Sequence, residues 1–409
     1  MKHGGAPLLL LEEALAEMRR QATPVRECEQ TGLAEGLGRV LGADLQSPVT
    51  VPGFDNSAMD GYAFRAADVT AGVETLPVRL RVAAGDPPGV LAPGTACRIF
   101  TGAPLPSGAD TVVIQEQCGV RDDQVVLPAH WTPGAHIRRA GEDIEAGAVI
   151  LRRGQRLDPP AVGLAASCGF TRVTVVRRLR VAVLSTGDEL RPAGGAALRP
   201  GQIYDSNRPM LQALLARLGC ELRDAGHLGD DREATRTALR AAASTADVIV
   251  TTGGVSVGEE DHVKAAVEAE GSLSLWRVAI KPGKPIAFGR IGASYFMGLP
   301  GNPVSAFVTF LLFVQPFLRA LQGEPAQPWG TYPVRAAFTR LKPDNRREFL
   351  RARLDMRPDG SLWAEAHARQ SSGVLSSVVW AHGLVDIPAG RTVAEGDTVS
   401  FIPFGGLAP

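Results

Sequence analysis

Four short polar motifs in the second half of the chain carry the residue types that bind anions. They are STGDEL at 185–190, TTGGVSVGEED at 251–261, KPGKP at 281–285 and LPGNPVS at 299–305. Gly253 and Gly254 would let backbone amides approach a ligand closely, as they do where phosphates bind near helix N-termini. Lys281 and Lys284 add compact positive charge. Together these residue types predict a site for a phosphate or another oxyanion.

The same motifs carry carboxylates, which indicate a divalent metal beside the anion. Asp188, Glu189 and Asp261 are the candidates, and Mg²⁺ is the usual partner of carboxylates next to phosphates. The chain has neither the GxxxxGKS/T pattern of a P-loop nor GxGxxG. The predicted ligand is therefore a phosphate-bearing small molecule, such as a nucleotide.

Each motif alone also has a plainer explanation. A glycine pair after a strand is commonly a tight turn, KPGKP could be an exposed loop, and Glu189 could cap a helix. Four such motifs at the ends of strands in one sheet favour a ligand site over these explanations.

The elements that would position these motifs belong to one unit. Residues 178–326 alternate apolar strands with helices, which predicts a doubly wound, mostly parallel α/β domain. Ligands of such sheets bind at the carboxyl ends of the strands, where the motifs fall. One helix is expected at SNRPMLQALLARLG, with Ser206 or Asn207 as its N-cap and Gly219 at its end.

The rest of the chain predicts three smaller units in a multidomain α/β protein. They are a helical linker domain from 1–46 and 147–177, an inserted β-rich domain at 47–146, and a C-terminal β domain at 327–409. The helices of the linker domain are expected at 8–22, 31–41 and 158–169. The middle unit is rich in Gly, Pro and short β runs, which differs from the helical segments on both sides.

Composition excludes several classes of protein. The 409 residues are 45% hydrophobic, and 43 Lys and Arg balance 43 Asp and Glu, so neither a general nucleic-acid binder nor a membrane-surface binder is favoured. The five cysteines are odd in number and widely spaced, which argues against a disulfide framework or a zinc site. The apolar stretch 304–318 is shorter than the roughly 20 residues of a membrane span. A cytoplasmic protein is expected.

A series of motifs resembles, in order, those of the molybdopterin molybdenumtransferase family, which includes bacterial MoeA and the E domain of gephyrin. The motifs are PGFDNSAMDGYA, AGEDI, STGDEL, GQIYDSN, TTGGVSVGEED, KPGKP, LPGNPVS and RREFLR, and with the QSS at 370–372 they span residues 52 to 372. The resemblance implies a reaction of adenylylated molybdopterin and molybdate. The pyrophosphate linkage breaks, AMP leaves, and molybdenum enters the dithiolene with the help of Mg²⁺.

The resemblance also implies roles for individual residues. The catalytic carboxylates would be Asp60, Asp143, Glu189 and Asp261. The metal ligands would be Asp188, Glu189, Asp230 and Asp261. The substrate-binding residues would be Thr101, Ser185, Thr186, Gly187, Gly253, Gly254, Val255, Ser256, Lys281, Lys284, Pro300, Asn302, Ser305, Arg346, Arg351, Ser371 and Ser372. Which of the two arginines contacts molybdate stays open, and Asp230 is equally well explained as a helix cap.

The resemblance further implies an obligate homodimer with its cleft at the interface. Asp60, Thr101 and Asp143 would reach the site from the opposite subunit, and Asn56 and Ser57 could simply stabilise a turn. Other cofactor-biosynthesis proteins and molybdoenzymes are expected partners, whereas nucleic acid and membrane are not. Two motifs depart from the family pattern: the aromatic residue common in its GDYD is replaced by Glu260 in GEED, and RREFLR has Arg347 and Leu350 where proline and histidine are common.

Two other functions are compatible with parts of the sequence. The first is a different enzyme on the same α/β unit, such as the adenylyltransferase that makes the activated pterin or a nucleotide pyrophosphatase. The second is a non-catalytic scaffold. The full set of N-terminal and C-terminal modules argues against the first, and the lack of a long linker argues against the second.

Overall fold

A mixed six-stranded sheet forms the centre of the molecule, in a computed structural model that describes residues 8–69, 73–195, 197–229, 231–254, 262–283 and 285–407. In spatial order its strands are Glu221–Leu228, Arg180–Thr186, Val248–Thr252, Ser294–Leu299, Pro285–Ile291 and Gly271–Arg277. The first four are parallel and the last two are antiparallel to their neighbours. The mostly parallel sheet confirms the sequence-based prediction.

Both faces of this sheet are buried, which explains the continuous apolar runs of its strands. Val181 and Val183 pack into one apolar cluster, whereas Ala182 and Leu184, between and beyond them, pack into another. Helices Asn207–Arg217 and Pro303–Leu321 contribute to the first cluster, and helices Arg232–Ala243 and His262–Glu270 contribute to the second. Helices on both faces make the sheet doubly wound, as predicted.

The helix that follows the strand Arg180–Thr186 is capped differently from the prediction. Ser206 stands at the N-cap position but makes no capping hydrogen bond with its side chain. The Oδ1 atom of Asp205 instead accepts a hydrogen bond from the backbone N–H of Arg208 at 3.1 Å. The Nδ2 of Asn207 donates to the carbonyl of Gly301 at 2.7 Å, so this side chain braces a loop instead of its own helix.

The long apolar helix Pro303–Leu321 has 19 residues and a mean hydropathy of 1.8. It is α-helical over Pro303–Thr309 and Gln315–Leu321 and makes one π-helical turn at Phe310–Val314. Its length and composition would suit a membrane span, but 78% of it is buried inside the protein. It is therefore the principal core helix of the α/β unit.

The linker region contains two helices and two short antiparallel ladders. The helices are Leu11–Gln21 and Pro159–Ser167, and the paired strands are Cys28–Gly32 with Arg172–Val176 and Leu45–Gln46 with Val149–Leu151. The predicted helix at 31–41 is wrong, because a strand ends at Gly32 and turns follow it. Gly36 and Gly38 weaken helix formation there, and Gly38 adopts a positive φ of 73°.

The β-rich segment between the two parts of the linker region forms another six-stranded sheet. In order its strands are Thr111–Ile114, Gly61–Phe64, Ala96–Ile99, Thr75–Val82, Gln124–Val126 and Gly119–Arg121. Short 3₁₀ helices lie at Ala66–Asp68 and Gln115–Gln117, and Asn56–Ser57 pairs with Ile137–Arg138. Apolar clusters on both sides of the sheet give this segment its own core.

The C-terminal segment forms a closed barrel. Its strands, in order, are Arg347–Met356, Leu362–Ala366, Tyr332–Ala336, Thr398–Pro403 and Gly383–Ile387, and the last pairs with the first. Ile280–Lys281, from the α/β unit, forms a short parallel strand that pairs with the first two residues of Arg347–Met356. Helices Ser376–Trp380 and Phe404–Leu407 and the parallel pair Leu190–Arg191 with Ile203–Tyr204 complete the elements of the described residues.

Gly61→Ala is expected to destabilise the β-rich segment by at least about 3 kcal/mol. A Cβ atom at this position would lie 1.9 Å from the carbonyl oxygen of Val113 on the neighbouring strand, so the two strands could not remain paired. Urea unfolding measures the loss. Gly53→Ala is the control, since its Cβ would meet the carbonyl oxygen of Thr50 at an ordinary 3.7 Å. Equal stability of the two variants would contradict the prediction.

Asp247 ties the linker region to the α/β unit. Its carboxylate accepts two hydrogen bonds from the guanidinium of Arg177, at 2.7 and 2.9 Å, and one from the backbone N–H of Arg180 at 2.8 Å. Burial acts to raise the pKa of Asp247, but these hydrogen bonds outweigh it and hold the pKa below its ordinary value.

Asp247→Asn should therefore lower the free energy of unfolding by about 2 kcal/mol at pH 7. Because the pKa of Asp247 is lower in the folded state, this stabilisation is present above the unfolded pKa and is lost as the pH falls through the folded one. The stability difference from wild type should shrink below about pH 4. Thermal unfolding at pH 7, 5 and 3 checks this, with the exposed Asp355→Asn as control. A difference that persists at pH 3 would exclude ionisation of Asp247 as its cause.

Candidate functional site

One cavity of about 820 Å³ lies at the carboxyl ends of the parallel strands, between the α/β unit and the C-terminal barrel. Its lining residues come from both units. They are Thr186, Glu189, Leu190, Ile203, Asn207, Thr252, Gly253, Gly254, Lys281, Pro282, Gly283, Pro285, Pro300, Gly301, Asn302, Ser305, Arg346, Gln370, Ser371 and Ser372. The structure thus brings together residues from all four polar motifs and from the RREFLR and QSS segments.

The glycine turn at the end of the strand Val248–Thr252 forms one wall. Gly253 and Gly254 have φ angles of +85° and +63°, which side chains rarely adopt. A Cβ on Gly253 would lie 2.9 Å from the carbonyl oxygen of Thr186, and one on Gly254 would lie 2.4 Å from Cγ2 of Val263. The turn therefore needs glycine for both its conformation and its close packing, and it brings the backbone to the cavity surface.

Hydroxyl groups lie beneath this turn. Thr186 lines the cavity, and its Oγ1 has no hydrogen-bond partner among the described residues. The same holds for the fully buried Oγ of Ser185 and Oγ1 of Thr251, which lie at the ends of adjacent strands. Buried polar atoms without partners are rare, so the hydroxyl of Thr186 is well suited to bind an oxygen of a ligand.

The start of the long helix lies beside the glycine turn and forms another part of the cavity wall. Pro303 is its first residue, Asn302 is its N-cap, and Ser305 is buried in the first turn. The N–H of Val304 donates to the carbonyl of Ser372 at 3.0 Å, which joins the QSS segment of the C-terminal barrel to this helix end. The N-terminal end of a helix favours a bound anion.

Two cations from different units meet at the cavity. Lys281 comes from the short strand Ile280–Lys281, and Arg346 directly precedes the paired strand Arg347–Met356. Asp344 joins them, since it accepts hydrogen bonds from Lys281 Nζ at 3.2 Å and from Arg346 Nε and Nη2 at 3.0 Å each. Lys281 Nζ also lies 2.6 Å from Oε1 of the buried Glu348.

Cationic partners govern the ionisation of both carboxylates. The hydrogen bonds from Arg346, and then from Lys281, hold the pKa of Asp344 far below its usual range. Burial raises the pKa of Glu348, but the hydrogen bonds from Arg340 and Lys281 leave it below its usual value. Both carboxylates are therefore ionised at neutral pH.

Arg351 lies behind the cavity wall and does not line it. Its side chain is buried, and its guanidinium donates from Nε to the Oγ of Ser377 at 3.1 Å and from Nη2 to the carbonyl of Ser371 at 3.2 Å. Burial lowers the pKa of Arg351 to about 10. Of the two arginines suggested for molybdate, the structure thus places Arg346 at the surface of the cavity and Arg351 as a support for Ser371.

Other predicted residues lie near the cavity or beyond the described part of the chain. Gly187, with φ +138°, turns the chain towards Glu189, and the Asp188 carboxylate lies over Gly229. A Cβ on Gly229 would be 2.7 Å from Asp188 Oδ1. The predicted residues outside the described ranges are Asp230, Val255, Ser256, Asp261 and Lys284.

The predicted residues of the β-rich segment do not line this cavity in the single chain. Asp60 accepts hydrogen bonds from the backbone N–H and the hydroxyl of Thr101 at 2.8 and 2.7 Å, and these contacts lower its pKa. Asp143 is exposed at a turn. Ser57 donates its hydroxyl to the carbonyl of Met59 at 2.6 Å, and Asn56 donates to that of Phe54 at 3.3 Å. These two polar side chains therefore stabilise turns.

The described residues contain no group of three or more His, Cys, Asp or Glu side chains that could hold a metal. Of the four predicted ligands, only Asp188 and Glu189 are described. Mg²⁺ commonly binds to one or two carboxylates and completes its shell with water and substrate phosphates, so this pair fits such a site in its chemistry.

Sequence reasoning missed several residues around the cavity, and three of them hold other groups of the site in place. Asn207 was assigned to a helix cap, although it braces the loop at Gly301. Gln370 lines the cavity and exchanges hydrogen bonds with the backbone of Arg351 at 3.1 and 2.9 Å. Asp344 was not considered, and its position two residues before Arg346 was the only sequence signal for it.

Comparisons with known protein families match three consecutive parts of the chain. Residues 9–169 match the MoeA N-terminal region (domain I and II), residues 182–320 match a probable molybdopterin binding domain, and residues 333–404 match the MoeA C-terminal region (domain IV). The cavity thus lies between an α/β domain of the molybdopterin-binding class and the MoeA-type C-terminal region.

Individual relatives extend over almost the whole chain. A molybdopterin molybdenumtransferase of Haemophilus influenzae is 40% identical over 98% of this chain and 100% of its own length, and one of Synechococcus elongatus is 38% identical over 93% and 94%. The crystal structure of a molybdopterin biosynthesis MoeA protein from Pyrococcus horikoshii has a TM-score of 0.83 and 28% identity, covering 97% of this chain and 100% of that one. The chain belongs to the MoeA family of molybdopterin molybdenumtransferases.

Proposed function

We propose that the protein is a transferase of molybdenum cofactor biosynthesis that inserts molybdenum from molybdate into adenylylated molybdopterin and releases AMP. One observation carries the proposal: a single cavity joins the glycine turn of the α/β domain to two cations at the edge of the C-terminal barrel. A substrate that carries both a phosphate chain and a site for an oxyanion needs these two features side by side.

The residues divide between the two substrates. The phosphates of the pterin nucleotide would contact the turn at Gly253 and Gly254 and the hydroxyl of Thr186. Molybdate, a tetrahedral dianion, would bind to Lys281 and Arg346, with the hydroxyls of the serines as further donors. Those serines are Ser305, Ser371 and Ser372. Pro300 and Asn302 would shape this end of the cavity, and Arg351 would hold Ser371 in place.

In the reaction, water attacks a phosphorus of the pyrophosphate linkage, the bond from this phosphorus to the bridging oxygen breaks, and AMP leaves while the pterin keeps its own phosphate. The two dithiolene sulfurs replace two oxygen ligands of molybdenum, and these oxygens leave as water with the thiol protons and two further protons. Molybdenum stays hexavalent, so no electron donor or acceptor is required. Glu189 lines the cavity and would orient or deprotonate the attacking oxygen. Mg²⁺ would be held by Asp188 and Glu189, with Asp230 and Asp261 as proposed further ligands, and would neutralise phosphate charge.

We further propose that the protein acts as a homodimer in the cytoplasm. Asp60, Thr101 and Asp143 lie on a segment that does not reach the cavity of its own chain, so a second subunit would have to present them. The predicted division into linker, β-rich, α/β and C-terminal domains remains part of this proposal. Other cofactor-biosynthesis proteins would supply the pterin, and molybdoenzymes would receive the finished cofactor.

Incubation with adenylylated molybdopterin and Mg²⁺, with and without molybdate, tests the function. AMP release that depends on molybdate, together with cofactor that activates an apo-molybdoenzyme, is the expected result. AMP release at the same rate without molybdate would indicate a pyrophosphatase. Formation of adenylylated pterin from ATP would indicate an adenylyltransferase.

A further inference from the structure

We propose that Asp344 is an internal competitor for the oxyanion and sets the affinity of the cavity for molybdate. This inference rests on the proposed function and adds a residue to it. The carboxylate of Asp344 holds the same two cations, Lys281 and Arg346, that line the cavity.

The geometry around Asp344 resembles the binding of an external anion. One oxygen accepts from the backbone N–H and Nε of Arg346, both at 3.0 Å, and the other accepts from Arg346 Nη2 at 3.0 Å and from Lys281 Nζ at 3.2 Å. Four N–H donors converge on one carboxylate. Nε and Nη2 of Arg346 face the carboxylate side by side, which is the arrangement that arginine uses to bind carboxylates and phosphates.

Glu348, unlike Asp344, has a cationic partner outside the cavity lining, Arg340, in addition to Lys281. Glu348 is buried, and its carboxylate is held by Arg340 through hydrogen bonds of 2.8 and 2.6 Å as well as by Lys281. It would keep a cationic partner if Lys281 turned towards a ligand. The ion pairs of Asp344 that the structure shows are with the two cavity cations.

An incoming dianion would therefore exchange partners with Asp344. Lys281 and Arg346 would turn from the carboxylate to the oxyanion, and Asp344 would move towards solvent, since its side chain is already 18% exposed. Part of the binding free energy of molybdate is consumed in breaking these contacts. A variant without the negative charge should bind the oxyanion more tightly.

Isothermal titration of the full-length chain with sodium molybdate tests the inference. Asp344→Asn should bind molybdate about three- to tenfold more tightly than wild type, as expected for the loss of partly exposed ion pairs. Asp344→Glu keeps the charge and should bind within about twofold of wild type. Glu365→Gln removes a carboxylate from an exposed 2.7 Å pair with Arg353 on the same barrel and controls for net charge.

Unchanged or weaker binding in Asp344→Asn would show that Asp344 positions Arg346, and would overturn the inference. Asp344→Ser provides a second variant if the first does not fold, with the same expected gain. If wild type releases AMP with molybdate but removal of Asp344 brings no gain in affinity, this inference fails and the proposed function stands. If wild type neither binds molybdate nor releases AMP, both fail.

Discussion

Lys281→Ala is expected to raise the KM for molybdate by about 10- to 100-fold, because a charge-assisted hydrogen bond is worth about 1.5–3 kcal/mol. Lys281 reaches the cavity from a strand that is fixed to the C-terminal barrel by backbone pairing, so the main chain holds this lysine at the cavity. The turnover number at saturating molybdate should fall much less, since the pterin phosphates are proposed to bind at the glycine turn. Initial rates of AMP release over a range of molybdate concentrations provide the measurement.

The matched control is Lys342→Ala. Lys342 is an exposed lysine on the segment that leads to Asp344, and its removal changes the net charge by the same amount. We expect the KM of this variant to stay within about twofold of wild type, since an exposed charge is screened by solvent and salt. If both variants shift the KM equally, the effect belongs to overall charge and Lys281 does not bind the oxyanion.

Gly253→Ala is expected to lower kcat/KM by roughly 100-fold or more, because misplacing a catalytic or binding group by about 1 Å can cost that much. Alanine at φ +85° is strained, and its Cβ would lie 2.9 Å from the carbonyl oxygen of Thr186. The backbone of Thr186 cannot move aside as a flexible side chain could. The glycine turn must therefore move away from the strand Arg180–Thr186. Steady-state kinetics and thermal unfolding of the same preparation separate this effect from a loss of fold.

The control variant Gly147→Ala separates the strain of a positive φ from the steric clash of the added Cβ. Gly147 has φ +87°, yet a Cβ there would meet no atom within 4 Å. It therefore carries the conformational cost alone, about 1 kcal/mol of stability, at a position outside the cavity. We expect near-normal kinetics for this variant. Equal loss of activity in both variants would attribute the effect to general destabilisation.

The α/β unit could be predicted from sequence because its strands are buried on both faces. Val181 and Val183 contact one apolar cluster, and Ala182 and Leu184 contact the other, so the strand must be apolar at consecutive positions. The end of this apolar run in the sequence marks the start of the first polar motif. The strand ends, once placed, located the glycine turn and the start of the long helix at one edge of the sheet.

Contacts between distant segments could not be predicted in the same way. The pairing of Lys281 with Asp344 depends on how the barrel packs against the sheet, and no local pattern encodes it. The failed helix at 31–41 has a similar cause. Its residues form a strand and turns because Arg172–Val176, more than a hundred positions later, supplies the hydrogen-bond partners for Cys28–Gly32.

The short strand Ile280–Lys281 also limits how the cavity can admit its substrates. It pairs with Arg347 and Glu348, and the N–H of Arg347 donates to the carbonyl of Ala279 at 2.8 Å, so main-chain bonds span the boundary between the two units at the base of the cavity. An outward rotation of the barrel about a hinge would have to break these main-chain hydrogen bonds. A bulky pterin nucleotide would therefore enter through rearrangement of side chains and turns at the rim, and the distance between the phosphate and oxyanion positions would stay nearly constant throughout the catalytic cycle.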